Sequence, residues 1–123
     1  MLIKEVAKQF DVTTDTLRYY EKMKMIPNVN RTSGGIRDYQ EEDLRWVELA
    51  ICMRRAGLPI EVMVDYVSLY QKGDQTFYQR LELLEKQMEK LLIQKENINT
   101  TIKHLNRKIT NYKKIEKNFS RGK

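Results

Sequence analysis

The sequence predicts a mainly α-helical protein, with a winged helix-turn-helix head, a small β-hairpin wing and a long C-terminal coiled-coil helix. Three observations carry this prediction. Two amphipathic stretches sit either side of a short polar break, a Ser-Gly-Gly turn between cationic arms follows them, and apolar residues recur in heptads from Phe77 onward.

The first element, Leu2 to Phe10, places Ile3, Val6, Ala7 and Phe10 at helical spacing. "DVTTD" then breaks and restarts the chain. Thr13 or Thr14 can cap the next helix, and Asp15 sits in its first turn, where a carboxylate suits the positive end of the dipole. Helix, three-residue turn, helix is the helix-turn-helix outline. In the second helix, expected to run on to Pro27, Leu17, Tyr20 and Ile26 turn inward together with Val12. Thr14, Arg18 and Lys22 fall at i, i+4 and i+8 on the other side. Hydroxyl, guanidinium and ammonium groups on one outward stripe suit phosphates and base edges, and Arg18 has the planar fork for either. On these residues alone an ordinary amphipathic surface helix is the alternative.

"NVNRTSGGIRDYQ" follows, with Ser33-Gly34-Gly35 as a tight-turn signal between short extended arms. Arg31, Arg37 and Tyr39 lie on or beside the arms, as in a wing laid against a sugar-phosphate backbone. "EEDLRWVELAICMRRAG" opens with three acids, carries Leu44, Val47 and Ile51 on one stripe, and closes on Arg54, Arg55 and Gly57, meeting the helix-boundary preferences at both ends. A further helix from about Ile60 to Tyr70 has Met63, Tyr66, Val67 and Tyr70 on one face, with Gly73 as its C-terminal stop.

From Phe77 one heptad series runs through Leu84, Leu91, Ile98, Leu105, Tyr112 and Phe119. A second runs Leu81, Met88, Lys95, Ile102, Ile109 and Glu116, so eleven of thirteen positions are apolar. A helix from Phe77 to Glu116 is about 60 Å long at ~1.5 Å per residue, too long to bury its stripe on its own head. A homodimer is therefore expected, with Leu81, Leu84, Met88, Leu91, Ile98, Ile102, Leu105, Ile109 and Tyr112 at its interface. The predicted organisation is head 1–72, linker 73–76, coiled-coil helix 77–119 and a disordered tail 120–123.

Composition bounds the function. At 123 residues there is room for one modest domain and an extension, and none for a separate catalytic or ligand-binding domain. No apolar run approaches a membrane span and "MLIKEVAKQF" lacks a signal-peptide core, so a cytoplasmic chain without membrane contact is expected. Cys52 is the single cysteine, which rules out an internal disulfide and a thiolate metal cluster; no metal or cofactor is expected, and His104 is assigned no role. Paired carboxylates, a nucleophile with its base and a phosphate loop are all missing, which argues against an enzyme. The net charge of +6 is unevenly spread: residues 77–123 hold twelve Lys/Arg against five Asp/Glu, while residues 41–76 hold four against seven. If the head binds DNA, it does so with a few placed cations rather than with bulk charge.

"IKEVAKQFDVTTDTLRYYEKMKMIP", "GIRDYQEEDL" and "CMRRAGLPIE", followed by the long helix, resemble the MerR family of bacterial transcription regulators along nearly the whole chain. The resemblance implies a head with two wings, an antiparallel coiled-coil dimer and a pseudo-palindromic operator inside a promoter, in double-stranded DNA of the bacterial nucleoid. It implies that Arg18 and Tyr19 on the recognition helix and Arg37 and Tyr39 in the first wing contact DNA, with Thr14, Thr16 and Arg31 as weaker additions. It also implies action by bending and untwisting the promoter spacer so that RNA polymerase engages, with no direct polymerase contact required. The deformation costs a few kcal/mol, to be offset by backbone contacts on both sides.

The lone cysteine in "CMRRAGL" resembles that of the thiol-based NmlR/AdhR-like branch, which responds to aldehyde and nitrosative stress. Pro59 departs from that pattern, where a serine capping the next helix is expected. Arg55 and Arg45 near Cys52 favour a thiolate and Glu48 opposes it, leaving the sign open. A small electrophile at Cys52 is the effector this branch implies. Two alternatives stand beside it: a repressor of the same fold with Cys52 inert and another effector, and an architectural coiled-coil protein that binds DNA without operator preference through its basic tail.

Overall fold

A computed structural model describes residues 1–119. Its helices are α1 (Ile3–Phe10), α2 (Thr14–Lys22), α3 (Glu41–Arg55), α4 (Ile60–Gln71) and α5 (Phe77–Glu116), with a 3-10 turn at Asp74–Thr76 before α5. The expected tail at 120–123 lies outside the described residues.

Three of these helices end in the same way, and the endings set the corners of the head. At α1, Asp11 takes a left-handed φ of 55° and the Val12 N–H reaches back to the Ala7 carbonyl. At α3, Gly57 (φ 83°) and the Leu58 N–H to Met53 bond repeat the pattern. This is the Schellman ending, in which a left-handed residue lets two amides satisfy the last carbonyls. The third case corrects the sequence reading. α2 stops at Lys22 rather than at Pro27, because Lys24 adopts φ 60° while its N–H bonds Glu21 and the Met25 N–H bonds Tyr20. A lysine carries no left-handed signal, so Pro27 looked like the stop. The early ending turns Met25 and Ile26 into the core.

That core gathers Val6 of α1, Leu17 of α2, Val47, Ala50 and Ile51 of α3, and Met63 and Val67 of α4. Of the stripes predicted from periodicity, Val6, Ala7, Leu17, Tyr20, Ile26, Val47, Ile51, Met63 and Val67 are buried, while Tyr70 is half exposed. Beside it, Trp46 packs on Tyr66 (ring centroids 5.5 Å apart) and edge-on to Tyr70 (5.1 Å), and the Arg80 guanidinium lies 5.4 Å from the Tyr70 centroid. Arg80 Nε also donates to Thr76 Oγ1 at 3.0 Å, and the Thr76 hydroxyl donates to the Leu69 carbonyl of α4 at 2.6 Å.

The predicted hairpin arms are reduced to one antiparallel bridge, Arg31 to Arg37, and the described residues contain no sheet. Thr32 N–H to Ile36 O at 2.8 Å and Asp38 N–H to Asn30 O at 2.7 Å close it, and Gly35 (φ 85°) makes the turn. Val29 and Asn30 on one arm and Gln40 on the other are bonded instead to the helices on either side. The Asp43 carboxylate, buried in the first turn of α3, accepts from the Gln40 N–H at 2.8 Å and the Asn30 side chain at 2.9 Å. An arm held at its root by α3 has no length left for further ladder bonds.

The chain divides into two compact units, residues 1–85 and the remainder from Lys86. In the second, Met88, Ile98, Ile102, Leu105, Ile109 and Tyr112 are each more than half exposed. The heptad stripe is thus uncovered in the single chain. No helix among the described residues is long and apolar enough to cross a membrane.

Candidate nucleic-acid interface

Thr13, not Thr14, caps α2: its Oγ1 accepts the Thr16 N–H at 3.0 Å and shares a hydrogen bond of 2.9 Å with the Thr16 hydroxyl. Thr13→Ala is expected to destabilise the head by about 1 kcal/mol, the usual worth of such a cap, measured by urea unfolding. Thr16 is therefore engaged in the cap. Thr14 instead accepts from Arg18 Nη1 at 3.2 Å, and the same nitrogen lies 3.1 Å from Asp15 Oδ1. Arg18 is exposed, so this ion pair is weak and releases its guanidinium readily.

Of the adjacent tyrosines, Tyr19 is exposed and Tyr20 is buried. Burial pushes the Tyr20 phenol up from its usual range, with Arg54 and Arg55 acting against that rise. α2 thus presents Thr14, Arg18, Tyr19 and Lys22 on one side while Leu17 and Tyr20 anchor it on the other.

Arg31 and Arg37 face each other across the bridge, and side chains of a bridged pair leave the same face. Arg31 Nη1 donates to Gly35 O at 2.9 Å, and Arg37 Nε donates to Glu21 Oε1 at 2.7 Å. Arg31 Nη2 lies 3.9 Å from the same oxygen. The sequence reading missed Glu21, a carboxylate only 7% exposed. It follows Leu17 by four residues and Tyr20 by one, so it lies on the inward stripe; a charge there, with two arginines in the wing to receive it, was the available signal.

Tyr39 stands apart from the other expected contacts. It is 2% exposed, and its backbone N–H donates to Met1 O at 2.8 Å. The ring belongs to the core rather than to the surface of the wing. Its hydroxyl is buried with no hydrogen-bond partner, and burial raises the phenol above its usual range, with the Arg37 charge the main opposing influence.

Cys52 is exposed on α3, off the Val47/Ile51 stripe as expected. The two guanidiniums expected to favour a thiolate have other partners: Arg45 Nη2 lies 3.6 Å from Glu41, and Arg55 Nη2 donates to the Phe10 carbonyl at 3.2 Å. Pro59, where a serine cap was expected, takes the N-cap position of α4 with no side-chain hydrogen bond. Among the described residues no group of His, Cys, Asp and Glu gathers as a metal site.

The MerR HTH family of regulatory proteins matches residues 1–68, all of α1 to α3, the wing and most of α4. The chain belongs to the MerR family. It is 48% identical over 92 residues to the HTH-type transcriptional regulator AdhR of Bacillus subtilis, a stretch that covers 75% of this chain and 66% of AdhR, slightly under two thirds of that relative. Among solved structures it is similar to a MerR family regulator from Listeria monocytogenes (TM-score 0.87, 40% identity, covering 92% of this chain and 86% of that one). It is also similar to HiNmlR, a MerR family regulator lacking the sensor domain and solved bound to promoter DNA (TM-score 0.86, 27% identity, covering 94% and 91%). These two likenesses, to AdhR and HiNmlR, support the NmlR/AdhR-like branch of the family. It is a regulator and not an enzyme, as its MerR relatives are named.

Proposed function

We propose that this MerR protein binds promoter DNA as a homodimer, through Arg18 and Tyr19 of α2 and Arg31 and Arg37 of the wing. The observation that carries the reading is that α2, whose exposed side carries Arg18 and Tyr19, is joined to the wing through its buried Glu21, which accepts from Arg37 Nε at 2.7 Å with Arg31 Nη2 at 3.9 Å. The likeness to a relative bound to promoter DNA supports it. The uncovered heptad stripe supports pairing with a second copy through α5, which gives two heads for the two halves of a pseudo-palindromic operator. A dimer of this kind acts on a promoter in the bacterial cytoplasm by bending and untwisting the spacer, and so reaches RNA polymerase through the DNA. Titration of a duplex carrying its own promoter against random DNA at one salt concentration tests the reading. Preference of about a thousandfold or more is expected, and equal affinity would mean an architectural protein.

Cys52 is the proposed sensor. Its exposure supports attack by the thiolate sulfur on an aldehyde carbonyl carbon, the oxygen taking its proton from water. The other partners of Arg45 and Arg55 support the second reading, an inert Cys52 and a different effector. Reporter output from the protein's own promoter with formaldehyde or methylglyoxal separates them. Under the sensor reading Cys52→Ser abolishes induction and keeps operator affinity; identical induction in both proteins rejects it.

A further inference from the structure

We propose that Glu21 is a positioning residue for DNA recognition, holding the wing arginines in register with the recognition helix; this rests on the DNA-contact reading above. Glu21 is in the last turn of α2, and each of its carboxylate oxygens reaches into the wing segment. Oε2 accepts the Val29 N–H at 2.9 Å, and Oε1 accepts Arg37 Nε at 2.7 Å with Arg31 Nη2 at 3.9 Å. The wing has one bridge and no ladder, so its own backbone bonds give little resistance to rocking. Asp43 holds the root of the wing to α3, and Glu21 supplies its tether to α2.

The geometry leaves the arginines able to act. Arg37 bonds the carboxylate through Nε, and its side chain remains partly exposed. Two guanidiniums on one carboxylate leave the cluster with one net positive charge, suited to a phosphate. A long arginine loses rotamer freedom when it contacts DNA, and one already held by a buried acceptor loses less.

Simple charge counting predicts the opposite of positioning, which makes the proposal testable. Removing a carboxylate near a polyanion should tighten binding to any DNA. If Glu21 positions the wing, Glu21→Gln instead weakens specific binding, by about tenfold, the scale of one charge-assisted hydrogen bond. The experiment titrates the full chain, wild type, Glu21→Gln, Arg37→Gln and the double variant, with the promoter duplex and with random duplex of equal length, after thermal melts establish folding. Weaker promoter binding, unchanged or stronger random binding, and a double variant no weaker than Arg37→Gln are expected, since the two residues act as one unit. Tightening on both duplexes, or additive losses in the double variant, overturns the proposal. Should Glu21→Gln fail to fold, Arg37→Lys decides: it keeps the charge but has no fork to serve carboxylate and phosphate together, so it should bind the promoter as weakly as Arg37→Gln, and wild-type affinity overturns the proposal. Wild-type protein with no preference for the promoter duplex fails the DNA-contact reading itself, before Glu21 is at issue, and takes the proposal with it.

Discussion

Ile98→Lys combined with Ile102→Lys is expected to convert the protein to a monomer and to abolish operator binding at concentrations where wild type is saturated. Both isoleucines are more than half exposed in the single chain, so neither supports the fold of residues 1–85. Their value appears only when a second helix covers them. Burial of an isoleucine side chain is worth about 1.5–3 kcal/mol, and a symmetric dimer loses four of them, on the order of 6–12 kcal/mol in total. At about 1.4 kcal/mol per tenfold, that raises the dimer dissociation constant by at least four orders of magnitude. Two heads joined in one dimer also bind the second half-site as an intramolecular event, so losing the joint removes that gain from DNA binding. Sedimentation and promoter titration check both parts. A dimer that survives the double substitution would remove α5 as the interface.

Arg18→Ala carries the second large effect. Its fork stands on the exposed side of α2, tied only to Thr14 and Asp15 within its own helix. An exposed pair of this kind contributes about 0–1 kcal/mol, so exchanging it for DNA costs little. A bidentate contact to a base edge or phosphate is worth about 1–3 kcal/mol, and a dimer makes it twice. Promoter affinity is therefore expected to fall by roughly one and a half to four orders of magnitude, with unfolding midpoints unchanged. The salt dependence assigns the target. If Arg18 holds phosphate, the slope of log affinity against log salt drops by about 0.9 for each copy; if it reads a base, the slope stays and discrimination against altered operators relaxes. Unaltered affinity for the promoter would remove Arg18 from the interface.

The outward and inward faces of α2 were legible in the sequence because a helix repeats every 3.6 residues whatever surrounds it. Arg18 therefore fell on the exposed side and Leu17 on the buried one, while Tyr19 as the outward tyrosine came from the family resemblance rather than from the spacing. The ends of α1 and α3 were also legible, through the polar break at Asp11 and through Gly57. The wing was less so. Its Gly-Gly turn was visible, but its arms are too short to show an alternation, so Arg37 and Tyr39 were placed alike on or beside them. Arg37 kept its head partly exposed against Glu21, and Tyr39 went into the core.

The sequence by itself determined where the helices lie, which face of each is apolar, and that α5 carries a stripe its own chain leaves uncovered. These are properties of periodicity and composition, set by neighbours within a few residues. Only the tertiary structure decided that α2 stops at Lys22, that Tyr39 is core and that Glu21 binds the wing. Those outcomes depend on residues far apart in the chain: Met1 meets Tyr39, Arg37 meets Glu21, and Asn30 meets Asp43. A buried carboxylate or phenol is settled by what packs around it, and local spacing carries no record of that packing.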